Sequence, residues 1–292
     1  MATATELFEQ HRNLLFSVAY RMLGSAADAE DVVQDSWLKW SAVDLDTVDS
    51  PKAYLVRIAS NTALNRLKSA QVQRESYVGP WLPEPILTSP DIAEDVEMAD
   101  SVSMAMLVVL ESLTPEERAV FVLREVFGFP HTEIASALDR PEASVRQLAH
   151  RARSHVQARR PRFDADREKQ KQATEEFLSA AAGGDINRLM EILAPDAALW
   201  TDGGGKVKAP LRDIHGAHRI ANFFVKVATQ PWQGYRPEQW EFAAAQINGA
   251  NGVLIRVEGK VVTAFTTEVL DGRITAIHLV GNPDKLAHLD ED

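Results

Sequence analysis

Residues 131–156 read HTEIASALDRPEASVRQLAHRARSHV, two short amphipathic helices joined by a turn. Ile134, Ala135 and Leu138 fall on one face of the first helix, opposite Glu133 and Ser136. Asp139 and Arg140 make the turn, and Pro141 suits the first position of a new helix, where its missing N–H is no loss. Glu142 complements the positive end of that helix's dipole. Val145, Leu148, Ala149 and Ala152 line the inner side of the second helix, leaving Ser144, Arg146, Gln147, His150, Arg151 and Arg153 outside. Between positions 144 and 162 there are six arginines (Arg146, Arg151, Arg153, Arg159, Arg160, Arg162) and no acid, in a chain of net charge −11. An arginine-rich helix alone is usually a solvated face. The turn and the paired apolar faces instead point to a helix-turn-helix whose Arg, Gln and Ser can meet base edges and phosphates.

The 292 residues suffice for two or three domains, and 45% hydrophobic with 25% charged residues is ordinary for globular cores. The absence of cysteine excludes disulfides, thiol catalysis and thiolate metal sites. No apolar run approaches the ~20 residues needed to span a bilayer. Residues 1–10 lack the basic-then-apolar order of a signal peptide, so a cytoplasmic chain without a membrane partner is expected. The acidity is uneven: residues 76–104 hold six acids and no base, away from the arginine-rich helix.

Helical periodicity predicts helices over 6–23, ended by Gly24, and over 26–40, with Ser25 and Asp28 in a capping arrangement. A third helix opens at Ser50-Pro51 with Tyr54, Leu55, Ile58, Thr62 and Leu67 inward, and Arg57, Asn61, Asn65, Arg66 and Lys68 on its other side. Prolines and acids mark 76–100 as a linker, and helices resume at about Met104. The last third changes character. A helix over 167–182 and a second ending at Leu193 precede strands at 197–201, 240–247, 252–257, 261–269 and 274–280, interrupted by a helix over 217–228. Asn248-Gly249, Asn251-Gly252, Glu258-Gly259 and Asp271-Gly272 are hairpin signals, so an α+β domain with an antiparallel meander is expected.

Ala19-Tyr20-Arg21-Met22-Leu23-Gly24 with Asp28-Ala29-Glu30-Asp31-Val32-Val33-Gln34-Asp35 resembles region 2 of bacterial sigma factors of the extracytoplasmic-function class, in the sigma-70 family. Ile58-Ala59-Ser60-Asn61 and Asn65-Arg66-Leu67 resemble its helix for the −10 promoter element. Leu113-Thr114-Pro115-Glu116-Glu117-Arg118 resembles the start of region 4, whose helix-turn-helix meets the −35 element. Trp81-Leu82-Pro83-Glu84-Pro85, Asp202-Gly203-Gly204-Gly205-Lys206 and Asn282-Pro283-Asp284-Lys285-Leu286 are similar to motifs of a subgroup, the SigJ type, with a fused C-terminal SnoaL-like domain.

The resemblance implies two all-α sigma domains (1–75 and 105–162) around an acidic linker (76–104), then a cone-shaped SnoaL-like, nuclear-transport-factor-like domain (163–292). It implies a transcription initiation factor, not an enzyme, with core RNA polymerase and promoter DNA as partners and no cofactor or metal. Asp31, Gln34 and Asp35 would dock on the polymerase clamp. Arg57, Asn61, Asn65, Arg66 and Lys68 would hold the melted −10 strand. Ser144, Arg146, Gln147, His150, Arg151 and Arg153 would meet the −35 element. The three SigJ-type motifs would regulate, through contact of the last domain with the linker and the sigma halves.

Other readings compete. Asp202–Lys206 lacks the Walker spacing and a following helix, because Pro210 arrives four residues after the Lys. His215, His218, His278 and Asp202 could form an acid–base set, although no spacing supports one. Trp200, Phe223, Phe224, Trp232 and Trp240 read as core. A sensor or cyclase-like enzyme built on the last domain is the alternative from another class. A plain helix-turn-helix repressor leaves residues 1–74 unexplained. The residues name no ligand.

Overall fold

The structure is a computed structural model and describes residues 3–74, 76–88, 103–159 and 167–290. Arg160, Arg162 and linker residues 89–102 lie outside the described residues. The chain forms two compact units, Met1–Glu75 with Leu107–Arg160, and Ser76–Met106 with Pro161–Asp292.

The first unit is helical. Helices α1 (Ala4–Leu23), α2 (Ala26–Trp40) and α3 (Pro51–Arg74) pack on one another. Thr3 and Glu6 form a capping box at the start of α1, and Gly24 closes it at φ 68°, a left-handed conformation that suits a residue without Cβ. Ser25 caps α2 by accepting from Asp28 N at 3.1 Å. Such caps are worth ~1 kcal/mol each, enough to fix where a helix starts. Trp37 is only half-buried, while Ser36 and Trp40 take the interior positions of α2.

A short helix α4 (Met104–Leu110) precedes α5 (Pro115–Phe121), which Thr114 and Glu117 start with a second capping box. A π-helical turn over Val122–Val126 follows. Helices α6 (His131–Ala137) and α7 (Glu142–Arg159) make the helix-turn-helix, with Ile134, Ala135 and Leu138 buried against Val145, Leu148, Ala149 and Ala152. Asp139 holds φ 50° in the turn, and Pro141 stands one position before α7 rather than within it. The inward face of α3 is wider than its periodicity predicts. Val56, Ala59, Ser60, Ala63 and Leu64 are also buried, because α5 and α6 pack on the helix in addition to α1 and α2.

The second unit places α8 (Arg167–Ala182), α9 (Ile186–Ile192) and α10 (Ala217–Thr229) on a six-stranded sheet. Its strands are β1 (Leu193–Asp202), β2 (Ile214–His215), β3 (Glu241–Ile247), β4 (Ala250–Val257), β5 (Lys260–Leu270) and β6 (Arg273–Val280), in the order β2-β1-β6-β5-β4-β3. Strands β3 to β6 are the antiparallel meander, joined by turns whose first residues, Asn248, Glu258 and Asp271, all have φ near 50°.

Beyond the expected meander the sheet is mixed, since β1 runs parallel to β6 and β2 adds an edge. That parallel pairing cannot be made by a hairpin and depends on the long connection through α10. Strand β1 begins at Leu193, and a register shift between Leu193 and Ala198 accommodates Pro195, which has no N–H for the ladder. Asn251-Gly252 is no turn. Gly252 pairs with Thr266 inside β4, where a Cβ would collide with Phe265 O. The core joins Phe177, Phe224 and Phe265, with Phe177 and Phe224 edge to face at 4.8 Å.

Residues 76–88 are not a free linker. Leu87 bridges to Ile247, Thr88 N donates to Gln246 O (2.9 Å) and Asn248 N to Ile86 O (2.9 Å), which adds a short extended segment beside β3.

Candidate nucleic-acid interface and linker lock

Helix α7 presents Arg146, Gln147, His150, Arg151 and Arg153 to solvent, with Ser144 half-buried in its first turns. Each of three arginines pairs with a nearby acid: Arg146 with Glu142 (2.6 Å), Arg151 with Glu117 (3.1 Å) and Arg153 with Glu125 (2.6 Å). The hydrogen bond to Glu125 raises the Arg153 pKa further. Exposed ion pairs of this kind hold weakly, so a phosphate backbone can displace them.

The residues assigned by sequence to polymerase and to the −10 strand meet one another. Arg66 donates to Asp31 (2.8 Å) and to Asp35 (2.9 Å), and its pKa is raised chiefly by the Asp31 hydrogen bond. Gln34 stays exposed. Asn61 donates to Arg57 O (3.0 Å) and to Ala137 O at the end of α6 (2.5 Å). Lys68 pairs with Glu116 (3.0 Å) at the start of α5. Arg57 and Asn65 are exposed, and Arg57 lines a cavity of about 310 Å³ with Glu133, Ser136 and Ala137. One side of α3 is therefore packed against α5 and α6.

Sequence reasoning missed a buried arginine cluster beneath that packing. Arg118 Nε donates to Arg21 O (3.0 Å), and Arg118 and Arg74 both pair with Glu111. Arg74 also donates to Leu23 O (2.6 Å), tying the end of α3 to the end of α1. Burial lowers the Arg21 pKa to about 10 and pulls Arg74 down as well. The available signal was Arg21 and Arg118 standing among apolar neighbours on faces that turn inward.

In the second unit the three SigJ-type motifs converge. Asp202, at the end of β1, is buried, and its carboxylate accepts from Tyr77 OH (2.5 Å), Leu82 N (2.8 Å), Gly204 N (3.0 Å) and Lys285 Nζ (2.8 Å). Lys285, also buried, donates in addition to Leu82 O and lies 3.9 Å from the centre of the Trp81 ring. That cation–π contact is strengthened by exclusion of water. Asn282 donates to Tyr77 OH (2.9 Å), and its side chain fills the space a Cβ on Gly204 would need. Desolvation and the Asp202 contact push the Tyr77 pKa up, so the phenol stays a donor. Leu82, Pro83, Glu84 and Pro85 are buried, and Pro85 O contacts His288 at 2.8 Å. Gly203, Gly204 and Gly205 bring the turn close to Val78 and Asn282, while Lys206 pairs with Asp284 at 2.6 Å outside. Pro283 is exposed and Leu286 buried.

The imagined acid–base set does not form. His278 is buried and stacked on Trp200 (5.2 Å), and burial depresses its pKa to about 4. His215 and His218 are exposed, and Asp202 is held by Lys285. None of the four lines the hollow of about 400 Å³ between α8, α10 and the sheet, while His215 and His218 line a separate hollow of similar volume at β2 and the start of α10, away from His278 and Asp202. Phe224 belongs to the domain core and Phe223 packs against it, and both line the first hollow with Trp232 and Trp240. Among the described residues no three His, Asp or Glu are grouped to hold a metal, and no helix is long and apolar enough to cross a membrane.

A region-2 bundle, a region-4 helix-turn-helix and a third domain that engages the linker between them define a sigma-70-type initiation factor. Family comparison agrees, matching Sigma-70 region 2 over residues 7–72 and Sigma-70, region 4 over residues 103–156. The chain belongs to the extracytoplasmic-function (ECF) RNA polymerase sigma factors, proteins that bind core polymerase and direct it to promoters. It is 36% identical to the ECF RNA polymerase sigma factor SigJ of Mycobacterium tuberculosis over 95% of this chain and 91% of that one. It is 30% identical to the probable ECF sigma factor SigI of the same species, over 94% and 92% of the two chains. The crystal structure of M. tuberculosis SigJ superposes with a TM-score of 0.77 at 32% identity, covering 96% of this chain and 97% of that one.

Proposed function

We propose that the C-terminal domain regulates this sigma factor in cis by holding residues 76–88, the first part of the chain that joins its two promoter-reading halves. The observation that supports this is the meeting of three sequence-distant motifs at one buried ion pair, Lys285 with Asp202. A free coil of about 30 residues has ends roughly 30 Å apart on average, and docking nearly half of it shortens that reach. With the reach shortened, the contacts of Asn61 with Ala137 and of Lys68 with Glu116 persist, and the −10 side of α3 stays covered.

Release of the linker frees the −10 residues Arg57, Asn61, Asn65, Arg66 and Lys68 for the melted strand. Asp31, Gln34 and Asp35 then dock on the polymerase clamp, the release of Asp31 and Asp35 from Arg66 coupling the two events. Arg146 and Gln147 read −35 bases, Arg151 and Arg153 hold phosphate, and Ser144 and His150 flank them. The chain acts on the transcription machinery in the cytoplasm as a factor and not as a catalyst.

The test is transcription in vitro with bacterial core polymerase and promoters selected from genomic DNA. Wild-type protein is expected to start at specific sites. Trp81→Ala and Lys285→Met are expected to change output several-fold with circular dichroism unchanged. Specific initiation by none of the folded proteins overturns the sigma assignment, and identical output from all of them overturns cis-regulation.

A further inference from the structure

Charge in the second unit is unevenly placed. Residues 206–226 hold five basic residues and one acid, while the rest of 163–292 holds nine basic and eighteen acidic residues. The five lie on the loop after β1 and on α10, and all are exposed. Lys206 pairs with Asp284, and the one acid, Asp213, contacts His215 at 2.5 Å. Among the described residues no acid pairs with Lys208, Arg212, Arg219 or Lys226. The arginines of α7 differ, since Arg146, Arg151 and Arg153 are each held by an acid.

The sequence of α10 places these cations on one stripe. His218, Arg219, Asn222, Lys226 and Thr229 recur at helical spacing and are exposed, while Ile220, Ala221 and Phe224 enter the core on the other side. Arg219 and Lys226 stand about 10 Å apart along the axis, at 1.5 Å per residue. The stripe contains no acid and no large apolar side chain. Lys208 widens it, because its Nζ lies 5.8 Å from the centre of the Trp232 ring, which packs edge-on against Phe223 of α10 at 5.3 Å. Arg212 stands just before β2, whose end leads into α10.

Unpaired cations gathered on one face raise the local potential and attract a polyanion. A lipid surface requires apolar side chains that insert beside the cations, and the stripe has none. Duplex DNA requires only cations and hydrogen-bonding groups set along its backbone, which Arg219, Asn222, Lys226 and Thr229 supply. The helix-turn-helix brings a duplex to the same chain, so a second contact forms at an effective concentration on the order of millimolar.

We propose that the outer face of α10, with Lys208 and Arg212, is a second DNA surface that holds the phosphate backbone of a duplex without reading its sequence. It supplies affinity and leaves the choice of promoter to α7. None of the lock residues belongs to it, so it stands or falls apart from cis-regulation.

The probe is a fluorescein-labelled duplex of random sequence, about 40 base pairs long, titrated with the full chain over roughly 50–200 mM salt. Arg212→Gln with Arg219→Gln and Lys226→Gln removes three cations of the surface. Lys171→Gln with Lys260→Gln and Arg273→Gln removes three exposed cations elsewhere on the same unit. The first triple variant is expected to bind about tenfold more weakly at low salt, with the slope of log affinity against log salt smaller by about 2–3. The second is expected to keep the wild-type slope. Because the chain has no cysteine, Asn222→Cys carries a single photo-crosslinker, which is expected to capture the duplex. Equal binding by the two folded triple variants, whether both weakened or both unchanged, overturns the surface, as does absence of capture from Asn222→Cys. Binding to phosphatidylserine vesicles that only the first triple variant loses, with its DNA binding intact, overturns it in favour of a membrane surface.

Discussion

Lys285 Nζ stands 2.8 Å from Asp202 Oδ2 with both side chains buried, 83 residues apart in sequence. Taken out of water, each charge depends on the other and on the Leu82 backbone, which donates to Asp202 and accepts from Lys285. Removing one partner strands the other in a medium that solvates it poorly. Lys285→Met is therefore expected to lower the unfolding free energy of this unit by ~3–5 kcal/mol. The double variant Lys285→Met with Asp202→Asn is expected to lose less than the single one. Urea titration followed by tryptophan fluorescence checks it, and a double variant worse than the single would show that the pair is not the unit of stability.

The acidic face of α2 gives a second expectation. Asp31→Ala with Asp35→Ala removes the partners of Arg66 and the proposed clamp contacts together. Affinity for core polymerase is expected to fall, more at low salt than at high. Pull-down across a salt series measures this, and unchanged affinity throughout would leave the face a solvated surface.

On α7 the two arginines are expected to differ in kind. Arg146→Ala relaxes preference at one −35 position, at a cost of ~1–3 kcal/mol. Arg153→Ala weakens binding evenly across sequences and flattens the salt dependence. Transcription on a library of −35 variants separates them, and matching profiles would misplace the recognition helix.

Two buried groups on the sheet predict opposing pH effects. Desolvation lowers the His278 pKa from 6.5 to about 4. Its unfolded form binds the proton more readily, so this contribution is full above pH 6.5 and is lost as pH falls toward 4, by about 3 kcal/mol in all. Desolvation raises the Glu268 pKa from 4.5 to about 7 despite the Ala105 N–H. Its contribution is full below pH 4.5 and is lost as pH rises through 7. Between pH 4.5 and 6.5 the two slopes cancel. Stability measured by denaturant across pH 4–8 is expected to be flat there in wild type, to rise with pH in Glu268→Gln and to fall with pH in His278→Leu. Parallel curves for all three proteins would contradict it.

Much of the helical architecture was legible because helices announce themselves locally. The stripe at Val145, Leu148, Ala149 and Ala152 and the caps at Ser25 and Gly24 lie within a few residues of what they specify. The strands were legible through alternation and through Asn248-Gly249, Glu258-Gly259 and Asp271-Gly272. Asn251-Gly252 misled because a glycine admitted for close approach to Phe265 O looks the same in sequence as one admitted for a turn. The polar side of α3 looks free in sequence, because nothing near Asn61 shows that Ala137 will lie against it.

By itself the sequence determined the two helical sigma regions, the outward arginines of α7 and the α+β character of the last third. Each depends on side-chain periodicity and on caps or turns that act over one or two turns of chain. Only the tertiary structure decided that Arg66 answers Asp31 and Asp35, that β1 lies parallel to β6, and that Tyr77, Leu82, Asp202, Asn282 and Lys285 form one lock. The physical reason is burial. A lysine and an aspartate in water attract weakly at any sequence distance, and it is the folded sheet, excluding water around them, that gives their pairing its strength and its specificity.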